Sequence, residues 1–336
     1  EYRVVKNGGT ITAYGYIYAG IAAPPIHNRG ALLLLVDSLF TDSCAAQVAQ
    51  LEEDINGDGW QVIRRNVART LPHADVHDLI GDIRQNNPDL TAVLLLGHIA
   101  VPYSGNLNPD GHPDHLGAWP ADVYYGCHSG GWSDVSVNST SGSQSRNHNI
   151  PGDGKWDQSV LPAAVELQVS RIDFHDMPAF GKTEVQLMQS YLNRLHQYKM
   201  DSLNIARRAL VDNNFSVSSY PEAFAANGWR NFPPLTGRDQ IHEADFVRSL
   251  KDSSFQWAYG CGGGSYTGAS GIGHTDSFAK YQVNGILPCC LAAISGIGIP
   301  GIIFSGRLCA RKRRRLPPAG LPAPTGTSII WRSESI

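Results

Sequence analysis

The chain has 336 residues, 42% hydrophobic and 17% charged, with a formal net charge of −3. That length supports one large core or two smaller ones, and the near-neutral balance gives no basis for binding nucleic acid or an anionic membrane. No apolar run reaches spanning length, which argues against a transmembrane helix, and the six cysteines form no C-x-x-C pair, which argues against a zinc ribbon or thioredoxin-type site.

The first residue is Glu1, so the chain reads as a fragment or processed product. Residues 1–30 alternate apolar and polar positions between glycines and read as a short β segment, or the end of a preceding domain. From Ala31 the pattern changes. "ALLLLVD" is a continuous apolar run, the signature of a strand buried on both faces of a parallel sheet. A helix is expected from about Thr41, with Val48, Leu51 and Ile55 on one stripe, ending at "NGDG". "WQVIRR" reads as a second strand. A helix from Asp75 follows, carrying Val76, Leu79, Ile80 and Ile83 at helical spacing, and then "TAVLLLG" as a third strand. Residues 98–160 lack periodicity and form a long insertion, a length of loop that is usually specialised. The alternation resumes with "AVELQVSRIDF" as a strand, a helix over about 181–199, and "ARRALVD" as a strand. Helices near 220–227 and 242–251 and the strand "SFQWAYG" complete the series. Such alternation predicts an α/β fold, a three-layer α/β/α sandwich with a mostly parallel sheet over residues 31–295. In that architecture chemistry gathers at strand carboxyl ends, which here are Asp37, "GHIAVPYSG" and "YGCGGG".

Several motifs compete for a functional role. "DINGDG" (Asp54, Asn56, Asp58, Gly59) opens like a calcium loop, but Arg65 stands where a bidentate Glu is required, so a helix cap and turn is the better reading. The insertion is rich in carboxylates, and Asp110, Asp114, Asp122, Asp153 and Asp157, with Asp134, are its candidate calcium ligands. His112, Asp114 and His115 are weaker candidates for zinc, since their spacing matches no established ligand pair. "GIGIPG" (Gly296, Gly298, Gly301) fits G-x-G-x-x-G, but Pro300 interrupts it and no helix follows, so it reads as accidental.

The stretch "WAYGCGGGSYTGASGIGHTDSFA" has the ingredients of a hydrolase site. A strand delivers Cys261 or Ser265, His274 returns as base, and Gly262, Gly263 and Gly264 supply oxyanion donors. The plain alternative is a glycine-rich turn packed under a helix, and both readings remain open.

The order of these motifs resembles the gingipain-like cysteine peptidases, which have a caspase-like fold. The resemblance covers roughly residues 30–295 and rests on "ALLLLVD", "AVLLLGHIAVP", "PADVYYG" and "LQVSRID", with "WAYGCGGGSYTG" where that family has a strand ending in "GHG". It implies a peptide or protein substrate, no required cofactor, and a secreted or surface location. It also places Cys261 where the family has its general base, and Cys289 or Cys290 in "ILPCCLAAISG" at the nucleophile position. A thiol cannot replace an imidazole as base near neutral pH. The resemblance therefore implies either a peptidase using Cys290 (or Cys261) with His274, or an inactive peptidase-like binding or structural module, with calcium as a stabiliser of either.

From about Gly285 the text changes character, with Pro, Arg and Cys clustered, including "ARKRRR" at 310–315. The chain also resembles a divergent, gingipain-related bacterial group through "YGCGGGSYT" and "NPDGHPDHLGAWPAD", and codons for this tail can be chosen so that a frame two bases later reads "YFTMLFGSYFGDWDSRDNFLRAPL", which looks like the continuation expected in that group. The tail, 296–336 above all, is therefore expected to be out of frame. On that expectation Cys289, Cys290 and the basic run are not selected features.

Overall fold

The computed structural model describes residues 2–9, 11–17, 28–108, 113–215, 221–265, 268–281 and 285–293. Asp110, His112, the "GIGIPG" motif, the basic run and the 296–336 tail lie outside the described residues.

At the start, β1 (Tyr2–Gly8) and β2 (Ile11–Ile17) form an antiparallel pair, which agrees with the alternating pattern there. Next come β3 (Ala31–Asp37), α1 (Ser38–Ser43), α2 (Ala45–Gly57), β4 (Gln61–Val67), α3 (His73–Asn86) and β5 (Leu90–Leu96). The insertion contributes the antiparallel pair β6 (Tyr103–Leu107) and β7 (Gly117–Pro120). It is followed by β8 (Gln168–Ile172), α4 (Glu184–Lys199), β9 (Ala209–Asn213), α5 (Pro221–Asn231) and the short α6 (Pro233–Thr236). The last elements are β10 (Ile241–Glu243), α7 (Phe246–Asp252), β11 (Phe255–Ser265), β12 (Gly268–Ala269), β13 (Gly273–His274), α8 (Thr275–Lys280) and β14 (Gly285–Ala293).

The α/β class with mostly parallel strands is as expected, but the parallel strands divide between two sheets. The first has the order β4-β3-β5-β8 and is parallel throughout. The second has β10, β9, β11 and β14 as parallel neighbours, and β12 and β13 fold back antiparallel on the end of β11. Each sheet is covered on both faces, which is why "ALLLLVD" is apolar at every position before its Asp. Leu32, Leu34 and Val36 meet α2 and α4, while Leu33 and Leu35 meet Val76, Ile80 and Ile83 of α3. In the second sheet, Leu210 and Ala258 pack on Phe246 and Leu250, and Val211 and Tyr259 pack on Ala225 and Phe232.

Local chemistry moves several boundaries from their expected places. The first helix begins at Ser38 because Asp37 caps it, accepting the Leu39 N–H at 3.0 Å. The helix expected over 242–251 is a strand and then a helix, because Asp245 accepts the Arg248 N–H at 2.7 Å and starts α7 there. The helix expected over 181–199 starts at Glu184, where Thr183 and Gln186 form a reciprocal capping box. "DINGDG" is a helix end: Asp58 caps α2 and pairs with Lys199, and Asp54 pairs with His196 at 3.0 Å.

Candidate functional site

The glycine-rich strand β11 runs at the centre of the second sheet, between β9 and β14. Cys261 is registered with Asn213 on one side and Leu291 on the other. Its side chain is 0% exposed, lying with Ala209, Val211, Ala225, Phe232 and Tyr259. Burial pushes the thiol up to about 11, opposed by the Asn214 backbone and reinforced by the charge of Asp212. Sγ also makes a long bond to Asn213 Oδ1 at 3.5 Å. A thiol so protonated and so enclosed is a poor nucleophile.

The glycines after Cys261 make room for the returning chain. The Ser270 N–H donates to the Gly263 carbonyl at 2.6 Å, and a β-carbon on Gly262 would overlap the Ser270 carbonyl. A β-carbon on Gly260 would come within 2.8 Å of Ile272. Gly271 makes this turn possible with φ +73° and packs directly on the Asn214 amide. The turn therefore lies across the carboxyl end of β11. Gly262 and Gly263 are registered with Ala292 and Ala293 of β14, and Gly264 with Ala269 of β12.

His274 lies elsewhere. It sits in β13 with its ring over Gly268, is exposed, and borders an open groove of 570 Å³ that Arg248, Lys251, Asp245 and Tyr281 also line. Cys261 does not line that groove. The structure thus does not bring Cys261 and His274 together. Cys290 is registered with Gly260, one residue out of step with Cys261. Close by, Asp212 accepts the Phe246 N–H at 2.7 Å and the Asn214 amide at 2.8 Å; burial nevertheless holds its carboxyl above the usual range.

The carboxylates of the insertion are dispersed and have protein partners. Asp122 makes a two-pronged pair with Arg171, both bonds 2.8 Å. Asp157 accepts N–H groups from Val135, Ser136 and Val137 and the Ser133 hydroxyl. Burial opposes its ionisation, but these donors outweigh it and hold the carboxyl well below the usual range. Asp134 accepts the Gly152 and Gly154 N–H groups, Asp153 pairs with Lys155 at 3.2 Å, and Asp114 lies exposed, 3.7 Å from His115. Among the described residues no group of three or more His, Cys, Asp or Glu side chains converges as a metal site.

Sequence reasoning named Asp37 as a strand end but missed its surroundings. Asp37 is wholly buried and accepts from Arg69 Nε at 2.8 Å and from the His98 N–H at 3.0 Å. Arg69 continues to Glu184 at 2.7 Å, and His98 Nδ1 lies 2.9 Å from Asp173 Oδ2. The signal was present as a titratable residue just after each apolar run: "LLVD", "LLLGH" and "SRID".

These features define a mixed α/β protein whose two largely parallel sheets present their strand ends to different surroundings. No family model and no curated protein sequence matches the chain. Among solved structures it is similar to the complex of Porphyromonas gingivalis RgpB pro- and mature domains, with TM-score 0.43 and 14% identity over 72% of this chain and 50% of that one. It is likewise similar to the Arg-specific cysteine proteinase gingipain R, with TM-score 0.43 and 14% identity over 75% and 52%. The chain spans about half the length of these structures. Among the described residues no helix is long and apolar enough to cross a membrane.

Proposed function

We propose that the chain is a peptidase-like module that binds a peptide or protein, with Cys261 serving as a packing residue. The observation that carries this reading is the enclosed thiol at the end of β11, fully buried and held protonated, beneath a turn that the neighbouring glycines admit. The resemblance noted in the sequence adds a secreted or surface location. Iodoacetamide labelling of the native protein, mapped by mass spectrometry, tests it. Cys261 is expected to react only when the protein is unfolded. Native labelling of Cys261 that slows in His274→Ala overturns the reading.

One observation favours a second reading, a cysteine peptidase acting through Cys290. β14 is the parallel neighbour of β11, and Cys290 is registered beside Gly260, near the strand end where the resemblance expects a nucleophile. Hydrolysis of a generic protein substrate such as casein, abolished in Cys290→Ala, supports this second reading. Hydrolysis that persists in Cys290→Ala removes it.

A further inference from the structure

The first sheet has a topological reversal. From β3 the chain moves to β4 on one side, then returns to place β5 on the other, so the strand order reverses at the carboxyl ends of β3 and β5. Open α/β sheets bind ligands at this kind of position. The residues there are Asp37, ending β3, and His98, two residues beyond β5, with Asp173 just past β8.

The arrangement fixes one imidazole. Asp173 Oδ2 is bonded to His98 Nδ1, and its Oδ1 accepts the His175 N–H at 2.8 Å. Burial opposes ionisation of Asp173, but the His98 bond and nearby Arg171 hold its carboxyl below the usual range, so it acts as an acceptor. Nδ1 must then carry the proton, which leaves the lone pair on Nε2. The His175 ring stacks on His98 at 3.9 Å, and both side chains are partly open to solvent, at 33% and 45%. His98 is also held through its backbone, whose N–H donates to buried Asp37. A base oriented by a carboxylate is the arrangement that proton-transfer catalysis requires.

Charge selects the substrate class. Four carboxylates (Asp37, Asp122, Asp173, Glu184) face two guanidiniums (Arg69, Arg171), so the edge is net negative while the imidazoles are neutral. Such an edge disfavours phosphate and sulfate esters and suits neutral or cationic carboxylic esters.

We propose that this strand edge is a second reactive site, in which His98 is the general base for hydrolysis of small neutral or cationic carboxylic esters. Nε2 takes a proton from water as the water oxygen attacks the carbonyl carbon. The ester C–O bond breaks, and the proton passes from Nε2 to the departing oxygen, leaving the acid and the alcohol. Asp173 stabilises the transient imidazolium, and His175 is a positioning residue that limits the tilt of the His98 ring.

The test is turnover of 4-nitrophenyl acetate by the full chain from pH 5 to 9. The rate is expected to rise with pH as a single imidazole loses its proton, and to fall roughly 100-fold in His98→Gln. Asp173→Asn is expected to lower the rate and move the pH midpoint, a change that a merely structural role would not produce. His242→Gln, at an exposed histidine elsewhere, is expected to behave as wild type. A wild-type rate in folded His98→Gln, or an unmoved profile in folded Asp173→Asn, overturns the proposal. If either variant fails to fold, diethyl pyrocarbonate on the wild type decides. Loss of turnover must track modification of His98, and tracking with any other histidine overturns the site.

Discussion

At the carboxyl edge of the first sheet, Asp37, His98 and Asp173 stand at or just past neighbouring strand ends, hydrogen-bonded to one another or to guanidiniums, with Asp37 buried and the other two partly open to water. At the corresponding edge of the second sheet stand Asn213, Cys261 and a run of glycines, closed over by the turn at Ser270–Ile272. Both sheets are parallel at their centres and covered on two faces, so the difference is local. A charged strand end must keep its partners, because an unpaired buried charge is too costly. Small neutral residues impose no such need, and the chain can fold down on them. The motif that reads as catalytic in the sequence is the one that closes up, and the edge with reactive geometry is built from residues scattered over more than 130 positions.

The comparison breaks most visibly if the ion pairs of the first edge are removed. Arg69→Met leaves Asp37 buried with two N–H donors and no cation, and separates Glu184 from its partner. A loss of about 3–5 kcal/mol is expected in urea unfolding. A loss under about 1 kcal/mol would mean that the edge relaxes to admit water, and that its order does not depend on the pair.

The insertion offers the next largest effect. Asp157→Ala removes the acceptor for three backbone N–H groups and one hydroxyl, and about 2–3 kcal/mol is expected to be lost. Because the Asp157 pKa is depressed in the folded state, its contribution is present above the unfolded value near 4 and fades as pH falls below it. The wild type and Asp157→Ala should therefore converge in melting temperature as the solution is acidified.

These contrasts also explain what could be read from the sequence. Strand-forming runs such as "ALLLLVD" and "TAVLLLG" were legible because burial on both faces forces unbroken apolar composition. The division into two sheets was not legible, since every βαβ unit looks alike whichever sheet it joins. "GCGGGS" suggested oxyanion donors, yet the glycines answer to the Ser270–Ile272 turn, a contact between positions that no local pattern connects to function. Arg69, Glu184, His98 and Asp173 each look ordinary alone; only the β4-β3-β5-β8 order brings them to one edge.

A smaller effect, carried by pH, sharpens the contrast from the second edge. Burial holds Asp212 above the usual carboxylate range, so the folded state binds its proton more tightly than the unfolded state does. Stability from this group is full below about pH 4 and declines as pH rises through the raised folded value. Asp212→Asn keeps an acceptor for the Phe246 N–H and has no charge to bury. Its advantage over wild type should be absent near pH 4 and grow toward neutrality in denaturant melts. A constant difference across that range would show that Asp212 is already hydrated.

The smallest expected change is the one that bears most directly on the role of Cys261. Cys261→Ser replaces a weak thiol donor by a hydroxyl at nearly the same place, with Asn213 Oδ1 already positioned to accept. Desolvation of the hydroxyl and the gained hydrogen bond oppose each other, so the net stability change should stay under about 1 kcal/mol. Cys261→Val instead adds a branch beside Val211 and Phe232 in a full core, and overpacking of this kind costs about 1–3 kcal/mol. If the residue only packs, stability should respond to shape in this order, and binding of any captured peptide should follow the folded fraction. If Cys261→Ser abolishes a function while the melting temperature hardly moves, the thiol has a chemical role. The closed edge must then open in solution, and the difference between the two edges becomes one of timing rather than of construction.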